Sequence, residues 1–367
     1  MKENYEKRKR KMNKLEALRK ELKEKGIDAV VIFDELNQKY LSDFAFTDGL
    51  LLITQSRACL ITDFRYYEMG IKYANPEFEI LMPEARFEFI EGVLRESSAK
   101  VVGFEGDFLP FSVYESYKNR FPFVEFVSIG DMIEIIRQVK TDEEIEKMQK
   151  AQDMTDKAFS HLLTMITPNM TEIDVAVELG YAMRKAGAPA FAFDTIAVSG
   201  DASSLPHGTP RNVKLKKGFL TMDYGAKFDG YCSDMTRTLV IGRADEEIKK
   251  LYNTVLYAQS QALEYLREGA DCGEADKIAR DIIDAIPEYR GTFGHSLGHS
   301  VGLFIHEKPG LNKRAFGRKL RKNEIMTVEP GIYLFGKYGC RIEDMVAIRE
   351  GGVYNFTHST KELIEIL

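Results

Sequence analysis

Residues 221–238 read TMDYGAKFDGYCSDMTRT, and everything built around them depends on how this stretch folds. Asp229-Gly230 is a two-residue turn signal of the kind that closes β-hairpins, because both positions tolerate the positive φ a tight turn demands. If Phe228 pairs with Tyr231, Asp223 faces Thr236 and Asp234 faces Gly225. Residues 223 and 225 point to the same side of their strand, so Asp223 and Asp234 become diagonal neighbours on one face. An even shift of register leaves that parity intact. Two solvated aspartates are the alternative for this pair taken alone.

Glu329 and Glu343 lie fourteen residues apart in a similar setting. Each sits in an apolar run, IMTVEPGIY (residues 325–333) and RIEDMVAI (341–348), and the connection PGIYLFGKYGC contains three glycines. Two antiparallel strands meeting over that connection would present both carboxylates to one site. Burying a carboxylate without compensation is expensive, and a metal ion supplies the compensation. The chain has six histidines, four of them in two motifs: His207 in SLPHGTP, then His295, His299 and His306 in GHSLGHSVGLFIHEKP. His161 and His358 have no such setting. Asp223, Asp234, His299, Glu329 and Glu343 together offer mostly oxygen with one nitrogen, which suits manganese, cobalt or zinc better than a closed thiolate site would. Two such ions about 4 Å apart can share a hydroxide and polarise a carbonyl together. The pattern therefore points to metal-assisted hydrolysis.

These motifs together resemble the pita-bread metallopeptidases, in particular the branch containing aminopeptidase P and prolidase, and the resemblance covers the whole chain. It implies an α/β (α+β) protein, with a small creatinase-like N-terminal α/β domain over residues 1–137 and a pita-bread catalytic domain over 138–367. In the family the residue matching Asp223 holds one metal, those matching Asp234 and Glu343 bridge both, and those matching His299 and Glu329 complete the set. The implied cofactors are two divalent ions, Mn2+ first, with Co2+ or Zn2+ as alternatives. Glu329 also matches the glutamate that takes a proton from the bridging water and passes it to the leaving nitrogen. His306 and His207 match residues that flank the scissile bond and hydrogen-bond the substrate carbonyl or the tetrahedral intermediate. His295 matches a residue lining the pocket for the residue after the cleaved bond, with a hydrogen-bonded core histidine as its alternative. Arg341, placed with His295 among the substrate-binding residues, and Arg237 are expected to fix ligand carboxylates through their guanidinium forks. A surface charge is the alternative for each arginine.

The resemblance implies a proline-directed exopeptidase. Methionine aminopeptidases share the five ligands but usually lack the N-terminal domain and the PHG motif found here at His207. Aminopeptidase P releases the first residue of Xaa-Pro peptides, whereas prolidase cleaves only the dipeptide. Compact prolidases often carry an arginine directly after HExP, and that position here is Gly310, with Arg314 and Arg318 further on. The expectation is thus aminopeptidase P, with Xaa-Pro dipeptidase as the alternative and a non-peptide hydrolase or lyase on the same fold behind it. The complete ligand set argues against a metal-free creatinase type and against a binding-only module. Related proteins are commonly dimers, so a homodimer is expected, with the segment around Phe64, Arg65 and Tyr66 as a candidate contact.

Length and composition agree with this reading. A chain of 367 residues favours two domains, and 44% hydrophobic with 29% charged residues is ordinary globular usage. A formal net charge of -6 argues against nucleic acid as a partner. No apolar run approaches the roughly 20 residues that span a bilayer, so no membrane partner is expected. The opening MKENYEKRKRKMNKLEALRKEL has no apolar stretch after its basic start and is not read as a secretory signal. Cys59, Cys232, Cys272 and Cys340 show no CxxC pairing and imply no disulfide framework. The cytoplasm is the expected location.

Along the chain, a helix is expected over Lys11–Lys25, with Leu15, Leu18 and Leu22 on one face, followed by a strand over Ile27–Phe33. LLLITQSRACLITDFRY (residues 50–66) reads as two strands around a turn, with Asp63 and Arg65 at the far strand end. That end is either plain surface or a neighbour of an active site. Another strand starts at Val101. Thr141 with Glu144 forms a capping box that starts a helix striped by Ile145, Met148, Met154, Phe159 and Leu162. Further helices are expected from Thr171 to Gly187, Glu246 to Leu266 and Ala275 to Ala285. The family's catalytic half consists of two related αβ halves, yet the sequence shows no trace of a duplication.

Overall fold

A computed structural model describes residues 13–367; the charged opening and the Lys11 start of the expected first helix lie outside the described residues. The chain divides into one unit ending at Arg137 and a second unit, Gln138–Leu367.

The first unit is an α/β layer structure. Its strands are β1 (Ala29–Ile32), β2 (Leu50–Thr54), β3 (Ala58–Ile61), β4 (Glu79–Leu81), β5 (Val101–Phe104) and β6 (Glu125–Ser128). They form one mixed sheet in the order β4-β3-β2-β1-β5-β6. β1, β2 and β3 are buried at every position, as their unbroken apolar runs require of a sheet covered on both faces. The first helix, Lys14–Glu24, is capped by Asn13 and buries Leu15, Leu18 and Leu22. The expectation for residues 62–66 needs correcting. Asp63 is the N-cap of a helix, Phe64–Tyr73, and accepts from the Arg65 N–H, so Phe64, Arg65 and Tyr66 open a helix and are not a strand end. Aspartate satisfies an otherwise orphaned N–H there.

The second unit contains β7 (Ala190–Phe191), β8 (Ile196–Ser199), β9 (Gly218–Tyr224), β10 (Ala226–Phe228), β11 (Tyr231–Cys232), β12 (Met235–Ile241) and β13 (Gly298–Ser300). It continues with β14 (Glu307–Leu311), β15 (Ile325–Val328), β16 (Gly331–Leu334), β17 (Tyr338–Arg341), β18 (Asp344–Arg349), β19 (Gly352–Asn355) and β20 (Glu365–Ile366). Two sheets dominate, ordered β20-β12-β9-β8 and β14-β13-β15-β18-β19. Each has its own pair of helices. Asp142–Leu163 and Glu172–Lys185 pack Phe159, Leu162, Leu179 and Met183 against Leu220, Met222 and Met235 of the first sheet. Glu246–Tyr265 and Cys272–Asp284 pack Leu251, Val255, Ala258 and Ala279 against Met326, Val328 and Val346 of the second. The two αβ halves invisible in the sequence are thus distinct in space. Each fully buried leucine contributes about 1.5–3 kcal/mol, and cutting Leu251 to alanine would cost about 2–5 kcal/mol.

The capping box is present: Thr141 Oγ1 accepts from Glu144 N at 3.2 Å, and Glu144 Oε2 accepts from Thr141 N at 2.8 Å. A second box, Thr171 with Asp174, starts the next helix. All four cysteines are buried and none is in a disulfide. Among the described residues, no helix is long and apolar enough to cross a membrane.

Candidate metal centre

The hairpin forms in the expected register. Phe228 pairs with Tyr231 and Asp223 with Thr236, around a turn in which Asp229 has φ 47° and Gly230 φ 88°. Gly225 has to be a glycine, since a Cβ there would meet the Ser233 carbonyl oxygen at 2.0 Å. The glutamates follow the same logic. Val328 pairs with Asp344 and Gly331 with Arg341, so one register runs through both strand pairs and sets Glu329 opposite Glu343.

The two hairpins come from the two halves and meet edge to edge. Glu343 N donates to the Thr236 carbonyl at 3.1 Å, and Thr236 Oγ1 donates to Glu343 Oε2 at 2.8 Å. Thr236, which faces Asp223 in the first hairpin, thereby touches a carboxylate of the second. His299 arrives on β13. Its N–H donates to Thr327 Oγ1 at 3.0 Å, and its Nδ1 lies 3.1 Å from the Ser300 carbonyl. That contact assigns the proton to Nδ1 and leaves Nε2 as the free lone pair. Nε2 stands 3.6 Å from Asp234 Oδ2 and 3.3 Å from Glu329 Oε1.

All five expected ligands line one cleft of about 490 Å3, and His207, His295, His306 and Arg341 line it with them. Asp234, His299 and Glu343 each offer a donor atom within 4.8 Å of the others. Burial, then the charges of Glu343 and Asp223, push the Asp234 carboxyl well above the usual range. Burial, then Glu329 and Asp223, do the same to Glu343, and burial lifts Glu329 to about 8. Carboxylates so crowded favour a multivalent cation among them. Asp223 Oδ2 is held by Arg341 Nη2 at 2.7 Å, while its buried Oδ1 has no hydrogen-bond partner among the described residues. The donor set and that orphaned oxygen fit a hard or borderline divalent ion.

The histidines divide by environment. Burial, then His306, lower His299 to about 4, keeping it neutral as a ligand must be. His295 falls to about 3 through burial, then Arg341; its Nε2 meets Tyr333 Oη at 3.0 Å. Burial, then His207, lower His306, and its ring centroid is 4.4 Å from that of His299. His207 is exposed on the loop after Ser204. The fully buried Glu172 anchors the far end of that loop by accepting from Arg211 Nε at 2.8 Å and Nη2 at 2.6 Å.

Arg237 needs correcting. Its guanidinium binds Asp344 Oδ1 at 2.8 Å together with the Glu343 and Thr236 carbonyls, so it holds the backbone beside a candidate ligand and does not grip a ligand carboxylate. Arg341 does grip one, Asp223, and also donates to Tyr333 Oη at 2.7 Å and Thr236 Oγ1 at 3.0 Å. Gly310 pairs with His299 across β13 and β14 and is absent from the cleft lining. Arg318 is taken up by Glu324. Tyr333 and Thr327 went unnoticed in the sequence, and Thr236 was placed opposite Asp223 without a role of its own. The period-2 spacing of Tyr333 and Arg341 on paired strands could have flagged the tyrosine, but nothing local marks the threonines.

The sequence model of metallopeptidase family M24 matches residues 146–350, and that of the creatinase/prolidase N-terminal domain matches 14–139. A Xaa-Pro dipeptidase from Pyrococcus furiosus is 37% identical over 354 residues, 96% of this chain and 99% of the relative. Among solved structures, a Xaa-Pro dipeptidase from Bacillus anthracis is 40% identical, covers 96% of this chain and 99% of its own, and superposes with a TM-score of 0.92. An X-Pro aminopeptidase from Thermotoga maritima is 34% identical with the same two coverages and a TM-score of 0.88.

Proposed function

This chain belongs to metallopeptidase family M24, and on that premise we propose that it is a Xaa-Pro dipeptidase, cleaving the bond between an N-terminal residue and a C-terminal proline. The carrying observation is the cleft itself, which brings five metal-type donors, three further imidazoles and one guanidinium to a single cavity. Dipeptides are preferred as substrate because relatives at 37% and 40% identity are Xaa-Pro dipeptidases. The expectation of an aminopeptidase rested on Gly310, which pairs with His299 but is not itself part of the cleft lining. The Thermotoga maritima relative supports Xaa-Pro aminopeptidase as the second reading.

In this proposal Asp223, Asp234, His299, Glu329 and Glu343 hold two divalent ions, manganese first. When bound, such ions supply Lewis acidity and a water ionised near neutral pH. The protein's own groups do the rest. Glu329 takes a proton from the attacking water and returns it to the leaving proline nitrogen. His306 and His207 donate hydrogen bonds to the carbonyl oxygen as it gains charge. His295 walls the proline side of the cleft. Arg341 fixes Asp223 and adds positive charge that favours a substrate carboxylate.

The test is turnover of the manganese-loaded protein on Xaa-Pro and Xaa-Pro-Yaa at equal concentration. We expect kcat/KM to favour the dipeptide by roughly 10-fold or more, as a charged group matched within a site commands. A reversed preference makes the protein an aminopeptidase, and turnover of neither overturns both readings.

A further inference from the structure

We propose that Lys140 is a positioning residue, a clamp across the neck of the loop that carries His306; the role of His306 itself rests on the function proposed above. Lys140 lies at the entry to the second unit. Its ammonium is buried, with 2% of the side chain exposed, and it sits 3.1 Å from Glu307 Oε2. The same nitrogen donates to Ser300 Oγ at 3.2 Å.

Those two partners are the residues that bound the loop. Ser300 follows His299 and ends β13; Glu307 follows His306 and begins β14. Between them the chain runs through Val301–His306. The backbone ladder holds this neck poorly. His299 pairs with Gly310 but Ser300 pairs with Glu307, so the register shifts between the two rungs and Lys308 and Pro309 fall out of step. One ammonium bridging Ser300 and Glu307 closes the loop where the ladder is irregular. Glu307 then reaches inward, its Oε1 accepting from Phe304 N at 3.2 Å. Gly302 leaves room for that carboxylate, since a Cβ there would meet Glu307 Oε2 at 2.5 Å.

The clamp is itself fixed to the scaffold. Lys140 N donates to the Asn323 carbonyl at 3.0 Å, and Asn323 Nδ2 donates back to the Lys140 carbonyl at 3.1 Å. Asn323 lies just before β15, the strand that leads to Glu329. Lys140 is therefore tied through its ammonium to the strand ends beside His299 and His306, and through its backbone to the segment that leads to Glu329. With the His299 and His306 rings 4.4 Å apart, a small shift of the loop misplaces the imidazole that faces the reacting carbonyl. Errors of about 1 Å at such a group can cost about 10²-fold in rate.

A buried pair can also serve stability alone, and substitutions separate the two roles. Lys140→Met strands the Glu307 carboxylate; the double variant Lys140→Met/Glu307→Gln removes the stranded charge but does not restore the bridge. Both are compared with the wild type as full-length, manganese-loaded protein, for Tm, metal content, kcat, KM and amide hydrogen exchange of residues 301–306. We expect the double variant to recover Tm and full metal content, while kcat stays down by roughly 10²-fold with KM little changed and exchange in 301–306 stays fast. Recovery of kcat together with Tm, or unchanged exchange in 301–306, overturns the clamp. The exchange readout needs no substrate. A wild type that turns over no Xaa-Pro peptide defeats the proposed function, and the exchange still decides the clamp.

Discussion

The guanidinium of Arg341 and the carboxylate of Asp223 are joined at 2.7 Å, Nη2 to Oδ2, and this contact uses one aspartate oxygen while leaving the buried Oδ1 for another partner. Arg341 lies on β17 and Asp223 on β9, so this ion pair, like that of Arg237 with Asp344, ties one half to the other. Arg341→Lys keeps the charge but loses the fork that also reaches Tyr333 and Thr236. We expect metal affinity to fall by roughly 10- to 100-fold, measured by calorimetric titration of the metal-free protein with manganese. An unchanged affinity would detach Arg341 from the metal centre.

Asp234→Asn and Glu343→Gln replace carboxyls that burial and their neighbours hold well above the usual range. We expect turnover at saturating manganese to drop below about 10% of wild type, because each is proposed to help hold the metal ions. Without metal, both variants should melt no lower than the wild type at pH 8, since the substitution relieves repulsion. A metal-free Tm well below wild type would mean these carboxyls are not mutually repelled.

His306→Ala and His299→Ala should part company. The first keeps its metal and loses roughly 10²-fold in kcat, the size expected for a lost hydrogen bond to developing charge. The second loses metal. Metal content by atomic emission decides, and loss of metal from His306→Ala would show the two roles exchanged.

Glu105 gives the first unit a pH dependence of its own. Burial lifts its carboxyl to about 7, although it accepts from the Phe33 and Asp34 amides at 2.6 and 2.9 Å and from Asn37 Nδ2 at 2.8 Å. A raised folded pKa means the folded state holds the proton where the unfolded chain has released it. Stability therefore falls as pH rises from the unfolded value of 4.5 to about 7 and is flat above. The full span is about 3 kcal/mol. Urea midpoints read from exchange protection in β1 and β5 should fall between pH 4.5 and 7 in the wild type. Glu105→Gln should flatten that slope, and an equal slope in both would remove Glu105 as its source.

Much of the site was legible in the chain. Asp229-Gly230 dictates a two-residue turn, and period 2 then places Asp223 opposite Thr236 and on the face of Asp234, as found. The capping box at Thr141, the leucine stripe of the first helix and the buried strands β1 to β3 were equally local, since each depends on residues within a few positions of one another. Asp63 misled because an N-cap after a strand looks, in sequence, like the strand's own polar end.

What the sequence determined by itself was the set of donors and the register of each hairpin, because turn chemistry and side-chain alternation act over a few residues. What only the tertiary structure decided was which groups meet across hairpins: Thr236 on Glu343, Arg341 on Asp223, Arg237 on Asp344, and Lys140 between Ser300 and Glu307. It also decided that Gly310 pairs with His299 and is not part of the cleft lining. Those partners lie roughly a hundred residues or more apart in most cases, and their meeting is set by how two αβ halves pack helices onto sheets. That packing is driven by apolar burial, which is proportional to area and carries no directional instruction a short stretch of sequence could reveal.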